Sequence, residues 1–225
     1  GGMSTWNSTE YSDAMRGSCY SQLKCTDCHN PHQAIGHKWS STPEKDDARC
    51  IQCHQQYASD ESQAAHSHHQ PGSEGSRCMN CHMPRINEGL QDVVRTHTIF
   101  SPTNADMIHA NQPNACNQCH TDKSIDWTIG YLEKWFDSKF DDMKLQNEYT
   151  NRTQSAALGW LQSENHSVRL VAADALLRTK SEWDKDTTIQ DALINALDDP
   201  YLLNRQFARR GFEGMLGVPL QDHGY

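Results

Sequence analysis

Cys25-Thr26-Asp27-Cys28-His29 sets a pattern that the chain repeats three more times, as Cys50-Ile51-Gln52-Cys53-His54, Cys78-Met79-Asn80-Cys81-His82 and Cys116-Asn117-Gln118-Cys119-His120. Two thiols three residues apart on a tight turn can reach two vinyl groups on one edge of a porphyrin and form thioethers. The histidine that follows then falls beneath the iron as its proximal ligand. Each copy therefore reads as a c-type haem attachment site. Cys25, Cys28, Cys50, Cys53, Cys78, Cys81, Cys116 and Cys119 would hold four porphyrins; His29, His54, His82 and His120 would hold four irons.

Two other chemistries use paired cysteines. Cys25 and Cys28 with Cys50 and Cys53 have the spacing of a zinc ribbon. Zinc, however, needs no histidine directly after every second cysteine, and all four pairs carry one. A disulfide framework fits worse, because cysteines three apart make strained bridges and the count of nine is odd.

The composition supports the same reading. Only 36% of the 225 residues are hydrophobic and the mean hydropathy is -0.83, which alone would point towards disorder. Haem removes that conflict, since a buried macrocycle replaces the Leu and Ile that an ordinary core of this size requires. We expect porphyrin to form the core of the first half.

The formal charge of -9, before any haem propionates, excludes a nucleic-acid partner, which would require a basic face. It suits encounter with a basic docking patch on a redox partner protein. No run of 18 apolar residues is present, so no membrane span is expected. The opening Gly1-Gly2-Met3-Ser4-Thr5 has neither the basic start nor the apolar segment of a signal peptide. Covalent haem is attached outside the bacterial cytoplasm, so we expect a mature or fragment sequence of a periplasmic or extracellular protein.

Residues 1–24, with Trp6, Tyr11, Met15 and Tyr20, show no periodicity and are expected to be coil packed on the first haem. Cys19, outside every motif, reads as a small buried apolar residue, the alternatives being a free reactive thiol or an intermolecular bridge. The linkers 30–49, 55–77 and 83–115 are rich in Pro, Gly, Ser, Asn and His, and are expected as loops tied down by ligation. Short helical turns should precede the second and fourth motifs, one of them spanning Asp46 to Tyr57.

After His120 the pattern changes. Trp127, Tyr131, Leu132, Trp135, Phe136 and Phe140 recur at helical spacing, as do Ala156, Ala157, Trp160 and Leu161. Val168, Val171, Ala172, Ala175 and Leu176 follow, then Ile189 to Leu197, then Leu203, Phe207, Ala208 and Phe212. Asp199-Pro200 should start the last helix, and Gly214 or Gly217 should end it. Val168-Arg169-x-x-Ala172-x-x-x-Leu176 recurs as Asn204-Arg205-x-x-Ala208-x-x-x-Phe212, a pattern that resembles HEAT repeats. The expected fold is thus mainly α with much irregular coil: a haem-packed tetrahaem region over 1–123, then a HEAT-like α-helical bundle over 124–225.

What occupies the second face of each iron separates a carrier from an enzyme. Nine histidines lie outside the motifs, and four suffice to make every haem bis-histidine. His32 follows His29 too closely to reach the other face of the same iron, so it should ligate a different haem. His97 and His109 are the candidates between the third and fourth motifs. From His66-Ser-His68-His69 at least one is needed, with His69 slightly favoured over His66. His37, His166 and His223 read as surface side chains, and Trp127 as a contact of the fourth haem.

The run from His66 through Cys78-Met-Asn-Cys-His-Met-Pro84, then Thr96-His97-Thr, then Pro113-Asn-Ala-Cys116 to Trp127 resembles bacterial multihaem cytochromes c of the cytochrome c-554 type. The resemblance covers roughly residues 18–127. It implies bis-histidine haems in closely packed pairs, electron transfer, and a helical region after the haems. Relatives often carry further haems upstream, so Gly1 is expected to be a fragment boundary.

The leading expectation is an electron carrier without a catalytic residue; a variant of it stacks subunits into an extracellular filament. The alternative is an oxidoreductase with one open haem acting on a small nitrogen or sulfur compound. All four motifs end in His, whereas such enzymes can mark the active haem by replacing it.

Overall fold

A computed structural model of the chain describes residues 10–32, 43–88, 93–179 and 185–224. The chain is mainly helical with much irregular coil. Its described residues divide into two compact units, one within 10–84 and 96–101, the other within 85–95 and 102–224. The division places the fourth motif with the helices that follow it, whereas the sequence suggested a boundary at 123/124.

The first unit contains α1 (Glu10–Ala14), α2 (Cys25–Cys28), α3 (Pro43–Ile51), α4 (Asp60–Ser67) and α5 (Cys78–His82). Its described side chains include only four that are buried: Asp13, Ser76, Pro84 and Thr96. Pro84 is the one apolar side chain among them, and no Val, Ile, Leu, Met, Phe, Tyr or Trp is included. The unit is held by turns, caps and short crossings. Asp13 accepts a hydrogen bond from the Thr96 hydroxyl at 3.2 Å, and its carbonyl accepts one from Thr98 Oγ1 at 3.0 Å. Ser18 N–H donates to Ile99 O at 3.1 Å. Gly17 permits that approach, since a Cβ there would lie 2.8 Å from Ile99 N.

Part of the expected coil is helical. Glu10–Ala14 forms α1, and Ser59 accepts from Ser62 N–H at 3.2 Å to cap α4 within a linker read as loop. The turn expected over Asp46–Tyr57 is α3 followed by a 3₁₀ turn at Gln55–Tyr57.

The second unit has an ordinary apolar core. An antiparallel hairpin, β1 (Arg85–Glu88) and β2 (Val93–Arg95), was not anticipated. It forms because Ile86 and Val93 are buried, Val93 against Leu170, Val171 and Phe207. Helices α6 (Ala105–His109), α7 (Ile125–Phe136), α8 (Asp142–Glu148), α9 (Ala156–Leu161), α10 (His166–Arg178), α11 (Thr187–Asn195) and α12 (Leu202–Leu216) complete it. Asn104, Ser124, Asp141, Ser155, Asn165 and Asp186 cap the first six of these with side-chain oxygens.

One apolar cluster joins Ile108, Ile125, Ile129, Leu132 and Leu145. Another joins Trp160, Val168, Ala172, Leu176, Ile189 and Leu193, so that α10 packs against both α9 and α12. The alternation of large residues with Ala172 and Ala208, both fully buried, lets these helices approach closely.

The last helix starts later than Asp199-Pro200 suggested. Its N-cap is Tyr201; Asp199 Oδ1 accepts from Tyr201 N–H at 2.8 Å just before it, while Arg169 Nε and Nη2 donate to the same carboxylate at 2.7 and 3.1 Å, forming a fork. Arg205, the second arginine of the repeated pattern, donates to the Asp199 carbonyl at 2.8 Å. The helix ends at Gly217 with φ of 70°, a left-handed cap that glycine adopts without strain. No helix among the described residues is long and apolar enough to cross a membrane.

Candidate haem sites

Each motif folds as one helical turn. The backbone N–H of His29 donates to Cys25 O, that of His54 to Cys50 O, and that of His120 to Cys116 O, each at 2.9 Å, while the third motif is α5 itself. Residues three apart on such a turn share a face. The turn thus aims both thiols of a motif one way and leaves the histidine directly after them.

The local supports differ. Lys24 N–H donates to Asp27 Oδ2 at 2.7 Å, closing the first motif. The buried Asn117 ties the fourth: its Nδ2 donates to the carbonyls of His120 and Lys123, at 3.3 and 3.1 Å, and its Oδ1 accepts from Thr128 Oγ1 at 2.6 Å. Asn117 occupies a variable position of the motif, so the pattern itself gave no hint of this role. Asp47 accepts from Cys78 N–H at 3.0 Å. The Cys78 thiol is hydrogen-bonded to that of Cys50; this bond, burial and the Asp47 carboxylate raise its pKa. The attachment points of the second and third motifs are therefore neighbours. Cys19 lies near the second motif, its thiol pKa raised by burial and by Cys50 and Cys53.

The histidines show the most informative spacing. The ring centres of His29 and His97 are 6.1 Å apart with planes at 30°. Those of His66 and His82 are also 6.1 Å apart, with planes 3° from parallel. Each pair joins a motif histidine to one outside every motif. Two imidazoles on opposite faces of one metal, with bonds of about 2 Å and a nitrogen-to-centre distance of about 1 Å, have centres about 6 Å apart. Both pairs have that spacing.

His82 Nδ1 lies 2.8 Å from Phe100 O, so as the Nδ1–H tautomer it donates there and leaves Nε2 for a metal. His66 has its pKa lowered by burial, then by His82, His68 and His54, which favours the neutral, ligating imidazole.

The remaining candidates fall elsewhere. His69, slightly favoured from sequence, does not face His82; its Nδ1 lies 2.7 Å from Ser67 O, and its ring packs where a Cβ at Gly75 would stand. His109 Nε2 accepts from Asp141 N–H at 2.9 Å. His32 is exposed. Trp127 stands 4.9 Å from His120, followed along α7 by Tyr131 at 4.7 Å and Trp135 at a further 4.5 Å. His37, and the side chain of His223, lie outside the described residues. Among the described residues, no three His, Cys, Asp or Glu side chains converge as a metal cluster, so the zinc reading gains no support.

Comparison with known families agrees with this geometry. A family model described as cytochrome c552 matches residues 62–184, more than half of the chain. The chain belongs to the cytochrome c552 family. A second model, the doubled CXXCH motif, matches residues 19–59 of the cytochrome and spans its first two attachment sites. No curated protein and no solved structure matches the cytochrome. The motifs and the family together make it a covalent c-type haem protein of electron transfer.

Sequence reasoning missed one residue of these sites. Tyr57 lies between His54 and His66, 6.5 Å from the first ring and 4.3 Å from the second. The signal was present: His54-x-x-Tyr57 has the same spacing as His29-x-x-His32, which was singled out.

Proposed function

We propose that this cytochrome carries four haems, each held between two histidines, and relays electrons along them. The observation that carries the reading is the 6.1 Å spacing of two histidine pairs, each made of one motif residue and one distant residue. Bound haem supplies a one-electron iron couple. The chain's own residues anchor, orient and ligate. Cys25 and Cys28 with the pair His29 and His97 form the first site; Cys78 and Cys81 with His82 and His66 form the third.

Cys50, Cys53 and His54 form the second site, and Cys116, Cys119 and His120 the fourth. Their distal ligands come from His32, His69 and His109. The tethered Nδ1 of His69, which leaves Nε2 for a metal, supports its inclusion. Trp127 forms a wall of the fourth site. The contact between the Cys50 and Cys78 thiols supports a close second and third haem. An unfilled iron is not needed, which favours a carrier over an oxidoreductase of small nitrogen or sulfur compounds.

The haem region spans 1–123 and resembles cytochrome c-554; the region 124–225 is HEAT-like, supported by the paired roles of Arg169 and Arg205 at Asp199. The protein is exported, works in the periplasm or outside the cell, and meets a redox partner with a basic docking patch. Subunits stacked end to end would make the same relay a filament.

Visible spectra of the ferric, dithionite-reduced and carbon monoxide-treated protein test the reading. Sharp low-spin bands indifferent to carbon monoxide are expected. A response of about a quarter of the Soret intensity would overturn full bis-histidine ligation and bring the oxidoreductase forward.

A further inference from the structure

Tyr57 closes the 3₁₀ turn that follows the second motif, its N–H donating to His54 O at 3.0 Å. Its carbonyl accepts from Gln63 Nε2 at 3.0 Å. Ser59 caps α4 two residues later, so the chain turns back at once. Gln63 and His66, three apart on that helix, share the face that meets the turn. Four rings are thus in successive contact: His54 with Tyr57, Tyr57 with His66 and His66 with His82, their centres 6.5, 4.3 and 6.1 Å apart and their planes at 25°, 26° and 3°.

We propose that Tyr57 is a positioning residue shared by two haem sites: stacked on His66, it holds that imidazole parallel to His82 while it flanks His54 of the neighbouring site. The inference rests on His66 and His82 ligating one iron, as proposed above. An axial imidazole turns about its metal bond at little cost, so its plane is set by what packs against it. Tyr57 presents a flat face with its ring centre 4.3 Å from that of His66, nearer than His82 at 6.1 Å. Its half-buried position leaves the ring fixed between two histidines and the turn.

The angle between two axial imidazole planes governs the splitting of the ferric iron's d orbitals. Parallel planes give a rhombic low-spin electron paramagnetic resonance signal; planes turned towards perpendicular give a single feature at large g. The reduction midpoint of the same iron moves with the change. Loss of packing alone can move the midpoint through solvent access but leaves the rhombic signal in place, so the signal is the deciding readout.

The test uses the full-length ferric protein with all haems attached, checked by pyridine haemochrome content. Tyr57→Phe keeps the ring and should retain the wild-type spectrum. Tyr57→Leu and Tyr57→Gln remove the ring by two routes, so failure of one to mature leaves the other. Each should move one haem's share of rhombic intensity to large g and shift one midpoint, with no new response to carbon monoxide. A wild-type spectrum in either mature ring-less variant overturns the proposal, as does a Tyr57→Phe spectrum that matches them. His66→Ala separates the two levels: silence towards carbon monoxide overturns the pairing and this inference with it. A responsive His66→Ala beside an unchanged Tyr57→Leu overturns the inference alone.

Discussion

The ring centres of His29, from the first motif, and His97, from beyond the third, lie 6.1 Å apart. Nothing in their sequence positions links them. The link is made by the segment Thr96–Ser101 folding back onto α1, where Asp13 receives Thr96 and Thr98.

His97→Ala should therefore open one iron. We expect about a quarter of the Soret intensity to respond to carbon monoxide, while His68→Ala, which removes an exposed neighbour of the His66 site, leaves it silent. Carbon monoxide difference spectra of the two reduced variants decide the matter. Equal responses would refute the assignment of His97.

Gly75→Ala tests the cradle of His69. A methyl group there meets the imidazole ring directly, and the ring must move. With His69 as a distal ligand, the displaced ring leaves one haem five-coordinate or weakly ligated, read as a high-spin charge-transfer band. A purely low-spin spectrum would remove His69 from the ligand set.

Replacing both Cys116 and Cys119 by Ala should lower the pyridine haemochrome yield per chain from four to about three. Cys116 also packs against the apolar cluster that contains Ile108 and Ile125. Some loss of thermal stability is expected as well, of about 1 kcal/mol for each small group removed from such a core. A yield that stays at its wild-type value would mean that the fourth motif carries no haem.

The helical region has its own titrating clasp. Burial opposes ionisation of Asp199, but the hydrogen bonds from Arg169, Tyr201 N–H and Asn204 outweigh it and hold its pKa below the usual carboxylate value. A carboxyl whose folded pKa is depressed stabilises above its unfolded pKa and loses that contribution as pH falls through the folded one. Stability should thus be flat near neutrality and decline below about pH 4. Asp199→Ala leaves Arg169 half of its fork short of an acceptor, should cost about 3 kcal/mol at pH 7, and should flatten the acid limb. Thermal melts followed by far-ultraviolet circular dichroism across pH measure both effects.

The attachment turns were legible because their chemistry is local: two thiols and an imidazole must sit on five consecutive residues. Helices α7 and α9 to α12 were legible for a related reason, since stripes such as Val168, Val171, Ala172, Ala175 and Leu176 repeat at the helical period; α8, with only Leu145 buried, offered no such stripe. The closing glycine at Gly217 followed from its backbone freedom. The hairpin was hidden because strands of four and three residues offer too few alternations to register, and it is the burial of Ile86 and Val93 that makes it. The displaced start of α12 shows the same limit. Asp199 carries an N-cap's chemistry and does accept from Tyr201 N–H, but it shares that carboxylate with a partner thirty residues away, Arg169, which the local pattern could not show. Distal ligands belong wholly to this second class. His66 and His69 are equivalent by composition, and only the return of α4 past Tyr57 brings His66 rather than His69 to His82.

The four side chains that are buried among the described residues of the cysteine-rich unit, Asp13, Ser76, Pro84 and Thr96, have a consequence for the protein's life before it is complete. A polypeptide with so little apolar surface to hide cannot offset the entropy of ordering itself. Until its thioether bonds are made, this half of the chain should be readily cleaved, which limited proteolysis of haem-free against mature protein would measure. Attachment then acts as the folding step, as metal capture does in small metal-dependent domains. A cell short of iron would hold no reserve of empty protein, and the abundance of the finished cytochrome would track the supply of its cofactor without a dedicated sensor.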